Sequence, residues 1–240
     1  MLEPTLFFDL SDFEHKSIFD DCEYAWEAIP KIGQYILLYS MSHECVQNSE
    51  YILPNSFIDN TENIFIGKGT VVEPGAFIQG PAIIGKNCQV RSGAYIRGNV
   101  ILGDNCIVGH TSELKNVIML NKAQAPHFNY CGDSILGRGV NLGCGTVLSN
   151  LPITSVKDPS TGKRNTIFVE VDGKLIDTKL SKFGAILGDN SQTGCNSVLN
   201  PGTILGKGCM VYPNTSVKKG YYGDNKIIKL RQETEVVKRV

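Results

Sequence analysis

Residues 66–105 read IGKGTVVEPGAFIQGPAIIGKNCQVRSGAYIRGNVILGDN, with an aliphatic side chain at every sixth position. The frame continues past this stretch, and its first ten positions are Ile66, Val72, Ile78, Ile84, Val90, Ile96, Leu102, Val108, Leu114 and Leu120. Small residues stand four places after the first eight of them: Thr70, Ala76, Ala82, Cys88, Ala94, Val100, Cys106 and Ser112. With a hydrophobic fraction of 42%, chance does not explain this frame, so it indicates a structural repeat.

A longer period is superimposed on the hexapeptides. IGKG begins at position 66, IGKN at 84 and LGDN at 102, so the motif returns at every third hexapeptide, and LGDN at 187 and LGKG at 205 keep the same spacing. Three hexapeptides therefore make one turn of a coil, and stacked turns predict an all-β fold, a parallel β-helix of triangular section. Three cysteines occupy the small inward position, where we expect them to pack: Cys88, Cys106 and Cys209.

Composition narrows the function classes. Lys and Arg number 23 against 24 Asp and Glu, a formal net charge of -1, which argues against a nucleic-acid partner. We find no apolar run long enough to span a membrane and no secretory leader. The eight cysteines lack the paired spacing of a metal site, so we expect reduced thiols, no metal and a cytoplasmic protein.

Three segments fall outside the repeat. Residues 1–58 carry a helical apolar spacing and a Ser11-x-x-Glu14 capping box, which predict a helical cap over the open end of the coil. A small partner-binding helix is the alternative. Within the coil domain, 59–218, residues 151–181 interrupt the rhythm and alternate around Asp172-Gly173, which predicts an inserted loop and hairpin. Residues 219–240 form a basic tail that could pair with a neighbouring subunit.

Two cations lie one period apart. Arg97 and Lys115 each follow the aliphatic residue of their hexapeptide, so a regular coil stacks them on one face. Like charges at strand spacing are unfavourable unless an anion lies between them, and phosphate fits this pairing. The alternative is that both side chains extend into water.

The aliphatic frame is interrupted once before the insertion. It runs to Leu120 and resumes at Leu136, two positions short of three full hexapeptides, which suggests that one coil lacks two residues. APHFNYCGDS, residues 125–134, lies in this gap and holds His127, Asn129, Tyr130 and Asp133. A histidine needs a partner that orients its ring before it acts as a general base, and a broken turn can supply backbone carbonyls. A structural histidine is the alternative.

The aliphatic-Gly-x-x-small-x repeat resembles that of the hexapeptide-repeat acyltransferases over roughly residues 60–218. This resemblance implies a left-handed coil and a homotrimer. PHFNYCGDS followed by VNLGCGT and SN resembles, more specifically, the glucosamine-1-phosphate N-acetyltransferase domain of the bifunctional enzyme that makes UDP-N-acetylglucosamine, and archaeal sugar-phosphate nucleotidyltransferase–acetyltransferases share the pattern. The offsets of an arginine and a lysine before the family's catalytic histidine match Arg97 and Lys115.

The resemblance implies roles for individual residues. His127 would be the catalytic base, and the substrate-binding residues would be Arg97, Lys115, Tyr130, Asn141, Asn150 and Lys182. Acetyl-CoA would lie in a groove between coils, near Cys144, Cys195, Pro213 and Lys207. The substrates would be acetyl-CoA and glucosamine 1-phosphate or a close hexosamine 1-phosphate, in UDP-N-acetylglucosamine biosynthesis.

The sequence also departs from that pattern. Cys144 and Cys195 replace smaller Ala or Ser, and Leu151 replaces an aromatic residue. We find no nucleotidyltransferase domain before the coil, so we expect that activity, where present, in a separate partner chain. Three alternatives stay open: acetylation of another amino sugar or nucleotide sugar, a non-catalytic subunit bound to a nucleotidyltransferase, and a metal-dependent carbonic anhydrase. The last needs three coil histidines, and only His110 and His127 lie in the coil.

Overall fold

The computed structural model describes residues 2–45, 52–231 and 233–238. Residues 57–228 wind into a coil with three parallel faces of eight strands each, joined at three corners. The chain passes from the first face to the second, then to the third, and then to the first face of the next turn. The predicted fold class, an all-β left-handed parallel β-helix of hexapeptide repeats, is confirmed.

The strands of each face are short. On the first face they are Phe57–Asp59, Phe77–Gln79, Tyr95–Arg97, the start of Glu113–Met119, the start of Tyr130–Leu136, Val147–Leu148, Val198–Leu199 and Ser216–Val217. On the second they are Ile64–Ile66, Ala82–Ile84, Val100–Leu102, the ends of Glu113–Met119 and Tyr130–Leu136, Ala185–Leu187, Thr203–Leu205 and Gly220–Tyr222. On the third they are Val71–Val72, Gln89–Val90, Ile107–His110, Gln124–His127, Asn141–Leu142, Gln192–Thr193, Met210–Val211 and Ile227–Ile228.

The aliphatic frame fills the inside of the coil, as predicted. Its members are almost all fully buried in one continuous cluster, and the small residues at the corners are buried beside them. Cys88, Cys106 and Cys209 are at most 1% exposed, which confirms their packing role. Leu120 is the exception, because Met119 takes the inward position and Leu120 packs on the outside.

The register break differs from the predicted one. Leu114 pairs with Ile96, a full period of three hexapeptides earlier, but Val117 pairs with Val100, one position short of that period, so one residue is lost at the first corner. The next turn is equally short, since Leu114 pairs with Cys131 and Met119 with Leu136. Two turns therefore lack one residue each, instead of one turn lacking two. His127 stays in register and pairs with His110.

The N-terminal segment lies along the second face. Its helices are Pro4–Phe7 and Ile32–Ser40, with 3-10 turns at Lys16–Phe19 and Ala25–Lys31. One more 3-10 turn, Thr61–Asn63, lies in the coil, at the first corner of its first turn. Phe7, Trp26 and Ile32 are buried against the outward side chains of this face, which extend from Phe65 in an early turn to Tyr221 in the last. This position is not the open end of the coil, and the predicted capping box at Ser11 starts no helix.

Burial on both sides explains the composition of the second face. Its strands read as unbroken apolar runs such as Val100-Ile101-Leu102 and Ala185-Ile186-Leu187, because the middle residue meets the N-terminal segment and its neighbours point inward. Strands of other faces alternate, with one side in water.

The insertion leaves and rejoins the coil within a single turn. Ile135 pairs with Ile186, on the far side of the whole insertion, while the turns on either side keep the ordinary register. The predicted hairpin is confirmed as Phe168–Val171 paired with Lys174–Asp177, with Asp172 and Gly173 at positive φ in the turn.

Removal of one buried ring should show how strongly the N-terminal segment is held. Phe7→Ala deletes a fully buried side chain that packs edge-on against Tyr221, so we expect the free energy of unfolding to fall by about 3–5 kcal/mol. Urea unfolding followed by the fluorescence of buried Trp26 measures it. Leu38→Ala, at a side chain 56% exposed, is the control and should change stability by less than about 0.5 kcal/mol. Equal stabilities of the two variants would contradict this packing.

Candidate active site at two corners of the coil

A column of candidate residues occupies the third corner, where the third face meets the next first face. Turn by turn, the column contains His110, His127, Cys144, Cys195 and Pro213. Each column carbonyl from His110 to Cys195 accepts an N–H bond from the following turn at 2.8–3.0 Å, as when Gly145 N donates to His127 O at 3.0 Å. The structure therefore brings the predicted base and three of the predicted acetyl-CoA residues together.

His127 is exposed at the end of its strand, and its backbone is held on both sides. Its N–H donates to Asn129 Oδ1 at 3.1 Å, while buried Asn129 donates from Nδ2 to Gly143 O at 2.8 Å. The ring of His127 forms no hydrogen bond with any residue the structure describes. His110 differs, since its Nδ1 lies 2.7 Å from Ser92 O. The broken turn thus does not supply the predicted ring-orienting carbonyl to His127.

Both histidines are followed by residues in the left-handed backbone region. Thr111 has φ 54° and Phe128 has φ 51°, at a corner where other turns place glycine or asparagine, such as Gly145 and Asn196. A β-branched or bulky residue at positive φ is unfavourable and is retained where the surroundings impose it. The ring of Phe128 lies edge-on to His110, with centroids 5.4 Å apart, so it helps to shape the histidine side of this corner.

A second group of candidates, the corner cluster, gathers at the first corner. Its residues are Arg97, Lys115, Asn116, Tyr130, Asp133, Asn150 and Lys182. Asp133 is its centre, because this residue is only 5% exposed and its carboxylate accepts from Asn116 Nδ2 at 2.9 Å and from Asn150 Nδ2. Asn116 in turn accepts from Asn99 Nδ2 at 2.9 Å, so an amide ladder runs down this corner.

Asn116 and Asp133 stand at the two shortened turns. They have φ 53° and 46°, and each forms with one residue a corner that Gly98 and Asn99 form with two in the last turn of full length. The missing residue lets the polar side chains of successive turns meet directly. Asp133 was noticed in the sequence only as a neighbour of His127. Its role becomes visible in its spacing to Asn116 and Asn150, which lie one shortened turn before it and one after it.

Arg97 carries its own counter-ion. Its Nη1 lies 2.5 Å from Glu113 Oε1, and this hydrogen bond raises the pKa of the Arg97 guanidinium. Lys115 follows Glu113 by two positions and lies next to Arg97 in the neighbouring turn, as the sequence suggested. Glu113 offsets the repulsion between the two cations, so the stack by itself requires no bound anion.

Tyr130 and Asn150 converge over Gly132. A Cβ atom at Gly132 would lie 2.6 Å from Asn150 Nδ2 and 2.7 Å from the Tyr130 hydroxyl, so a larger residue there would displace both side chains. Partial burial is the largest influence on Tyr130 and raises the pKa of its hydroxyl. The Tyr130 hydroxyl is therefore a proton-bearing group at the edge of the corner cluster near neutral pH.

Lys182 reaches the cluster from the end of the insertion. The residue after it, Phe183, donates its N–H to Asn150 O at 2.9 Å, and Gly184 N donates to Asp133 O at 2.8 Å. Lys182 lines a cavity of about 390 Å³ together with Asn116 and Asp133. Five predicted substrate residues thus share one corner, across the first face from His127.

Two predicted residues lie elsewhere. Asn141 is half-buried on the third face, beside Gln124 and Gln192. Lys207 lies at the second corner, where its Nζ donates to Thr5 O at 3.3 Å, so the structure does not bring it to the column.

Within residues 2–45, 52–231 and 233–238, no helix is long and apolar enough to cross a membrane. The same part of the chain holds no cluster of three or more His, Cys, Asp or Glu side chains arranged to bind a metal ion.

Sequence comparison identifies relatives for much of the coil. The family described as the GMPPB C-terminal domain matches residues 78–170. The bifunctional protein GlmU of Methanococcus vannielii is 34% identical over 131 residues, 52% of this chain and 29% of the relative. That of Methanococcus maripaludis is 29% identical over 211 residues, 88% of this chain and 47% of the relative. The chain thus spans less than half the length of these curated relatives.

Among solved structures, the Arabidopsis UDP-N-acetylglucosamine acyltransferase gives a TM-score of 0.43 at 13% identity, over 74% of this chain and 71% of that one. The coil itself identifies the chain as a hexapeptide-repeat β-helix. The predicted resemblance is confirmed at a finer level as well, because the chain is related in sequence to the bifunctional proteins named GlmU.

The role of Asp133 can be tested by one atom exchange. Asp133→Asn keeps the shape and tolerates positive φ, but turns an N–H group toward one of the two amide donors, so we expect a loss of about 1–3 kcal/mol in the free energy of unfolding. Urea unfolding monitored through Trp26 measures it. Asp172→Asn is the matched control, since Asp172 also has positive φ but is exposed in the hairpin turn. Unchanged stability of Asp133→Asn would show that the amide ladder does not depend on the carboxylate.

Proposed function

We propose that this chain transfers the acetyl group of acetyl-CoA to the amino group of a hexosamine 1-phosphate. The observation that carries the proposal is the placement of two groups on either side of the first face. The column at the third corner holds two histidines and two small thiol side chains, and the corner cluster at the first corner holds cations, amides and a tyrosine hydroxyl. The two groups are separated by the part of strand Tyr130–Leu136 that lies on the first face. This part is about 10 Å long, a distance that a sugar phosphate and a thioester together can span.

His127 is the residue suited to accept a proton. In the reaction the amine nitrogen attacks the acetyl carbonyl carbon, the carbon–sulfur bond breaks, and the CoA thiolate leaves. The nitrogen must lose one proton, and an exposed histidine side chain is the type of group that can take it near neutral pH and pass it to the thiolate. Since no described residue bonds to the ring, we infer that the bound substrates or a second subunit orient it.

The corner cluster is suited to bind the acceptor. Lys115 and Lys182 have no ion-pair partner among the described residues and would bind the phosphate, with Arg97 able to exchange Glu113 for it. Asp133 fixes the amide of Asn150, so this side chain would present a preset hydrogen-bonding group to the sugar. Positioning of this kind lowers the entropic barrier to the reaction.

A homotrimer would complete this site. Asn141 lies on the third face, on the far side of the column from the corner cluster of its own chain. In a closed ring of three copies, the third face of one chain can approach the first face of the next. We propose that Asn141 acts in such an interface, with acetyl-CoA bound along the column of the same chain.

Replacement of the base tests the function. His127→Ala should lower kcat for thiol release from acetyl-CoA, with glucosamine 1-phosphate as acceptor, by about 10²–10⁴-fold, because general base catalysis contributes that much. His43→Ala is the control, since this exposed histidine lies in the N-terminal segment, stacked on Tyr39. It should retain full activity.

Full activity of His127→Ala would show that His127 is not the general base. An unmodified protein that releases no thiol with any hexosamine phosphate, but binds a separate nucleotidyltransferase, would instead support the non-catalytic alternative.

A further inference from the structure

A basic cleft lies in the insertion, beside the corner cluster. We call it the insertion cleft. It has a volume of about 400 Å³, and the described residues that line it include no carboxylate: Lys157, Gly162, Lys163, Arg164, Thr166, Lys179, Ser181 and Lys182. Five of these eight are cations in a chain whose formal net charge is -1, so positive charge is locally concentrated.

The acidic residues nearest in sequence neutralise little of this charge. Asp177 pairs with Lys179 at 2.8 Å, and hydrogen bonds from Lys179 lower the pKa of Asp177 to about 2. Asp158 is engaged in its own turn, where its Oδ1 accepts from Ser160 N, Ser160 Oγ and Thr161 N. The cations left without an ion pair to any described residue are Lys157, Lys163, Arg164 and Lys182.

The cleft is built before any ligand arrives. Lys157 and Arg164 face each other across an antiparallel bridge, and Asp158 N donates to Lys163 O at 2.8 Å to close the loop. Arg164 is half-buried and donates from Nη1 to Ser155 O at 2.6 Å, which fixes its guanidinium. A cationic side chain that is already fixed loses less conformational entropy on binding a ligand than a mobile one does.

The insertion cleft is continuous with cavities on both of its sides. It shares Lys179, Ser181 and Lys182 with the cavity of the corner cluster. It shares Thr166 with a larger cavity of about 760 Å³ between the insertion and later turns of the coil. Apolar side chains such as Ile153, Val156 and Phe168 form much of its wall, and Asn165, Asn200 and the cations Lys218 and Lys219 line the rest.

The order of these surfaces matches the order of groups in one class of molecule. A polar amide cluster, a cationic cleft and an apolar cavity with an aromatic wall follow each other, as do the sugar, the diphosphate and the nucleoside of a nucleotide sugar. Lys182 lines two of the cavities, so two phosphates joined by one oxygen can lie on either side of it. A single phosphate would leave the cations of the loop unused.

We propose that the acetyl acceptor is an amino sugar linked to a nucleoside diphosphate, whose second phosphate binds Lys157, Lys163 and Arg164. This inference rests on the proposed acetyl transfer and replaces the free hexosamine 1-phosphate with the same sugar phosphate joined to a nucleotide. The 3′-phospho-ADP part of acetyl-CoA has related chemistry, but the column assigned to acetyl-CoA lies at a different corner of the same chain.

Steady-state thiol release with two acceptors tests the inference. UDP-glucosamine should give a kcat/KM at least about tenfold above that of glucosamine 1-phosphate, because charge-assisted hydrogen bonds to the second phosphate are added. The double variant Lys157→Ala/Lys163→Ala should lose at least about tenfold with UDP-glucosamine and less than about twofold with glucosamine 1-phosphate. Lys174→Ala/Lys229→Ala removes the same charge at exposed positions outside the cleft and is the matched control.

Two results would overturn the inference. One is equal use of both acceptors with no selective effect of the cleft variant. The other is a cleft variant in which only the KM for acetyl-CoA rises, and in which this rise is smaller when acetyl-dephospho-CoA is the donor. That result would mean that the cleft binds the 3′-phosphate of the donor.

Calorimetric titration with UDP separates this inference from the proposed function. Binding that weakens at least about tenfold in Lys157→Ala/Lys163→Ala supports a diphosphate site even when no acetyl transfer occurs, and the failure then belongs to the proposed reaction. No binding of UDP to the unmodified protein overturns the diphosphate site whatever the activity with glucosamine 1-phosphate.

Discussion

The hydrogen bonds between successive turns impose one constraint on the whole molecule: each turn must close in the length that keeps its corners above those of the previous turn. A residue with positive φ at nearly every corner makes the sharp bend, and the next turn then pairs along all three faces. Because strand spacing fixes the rise, a residue's place in its turn determines its neighbours above and below. The column and the amide ladder both follow from this rule, and neither needs contacts between residues close in sequence.

The periodic part of the chain could be predicted from the sequence because inward positions must be apolar and corners must be small. This logic gave the coil, the buried cysteines, the insertion and its hairpin. It failed at Leu120, since periodicity counts positions but cannot locate a deletion within a gap. Only the strand pairings show that one lost residue belongs to the corner at Asn116 and the other to the corner at Asp133, while His127 stays in register.

The position of the N-terminal segment and the role of Asp133 were also beyond sequence reasoning. The unbroken apolar runs of the second face did contain a signal, because a strand with both sides buried has no polar position to alternate with. The signal for Asp133 was its spacing to Asn116 and Asn150, which has a meaning only once the length of the shortened turns is known. The individual side-chain roles at the candidate site, from His127 to Lys182, stay predictions. The structure adds that they divide between two corners.

The insertion has a consequence for how such a protein can change. Its two ends lie at the same corner, so the coil above and below keeps its register whether the excursion is short or long. Loop length has a small thermodynamic cost, so this segment is open to lengthening, exchange or deletion while the scaffold around it stays as it is. Changes confined to the insertion could therefore alter which molecule the protein binds, while the residues around His127 stay the same.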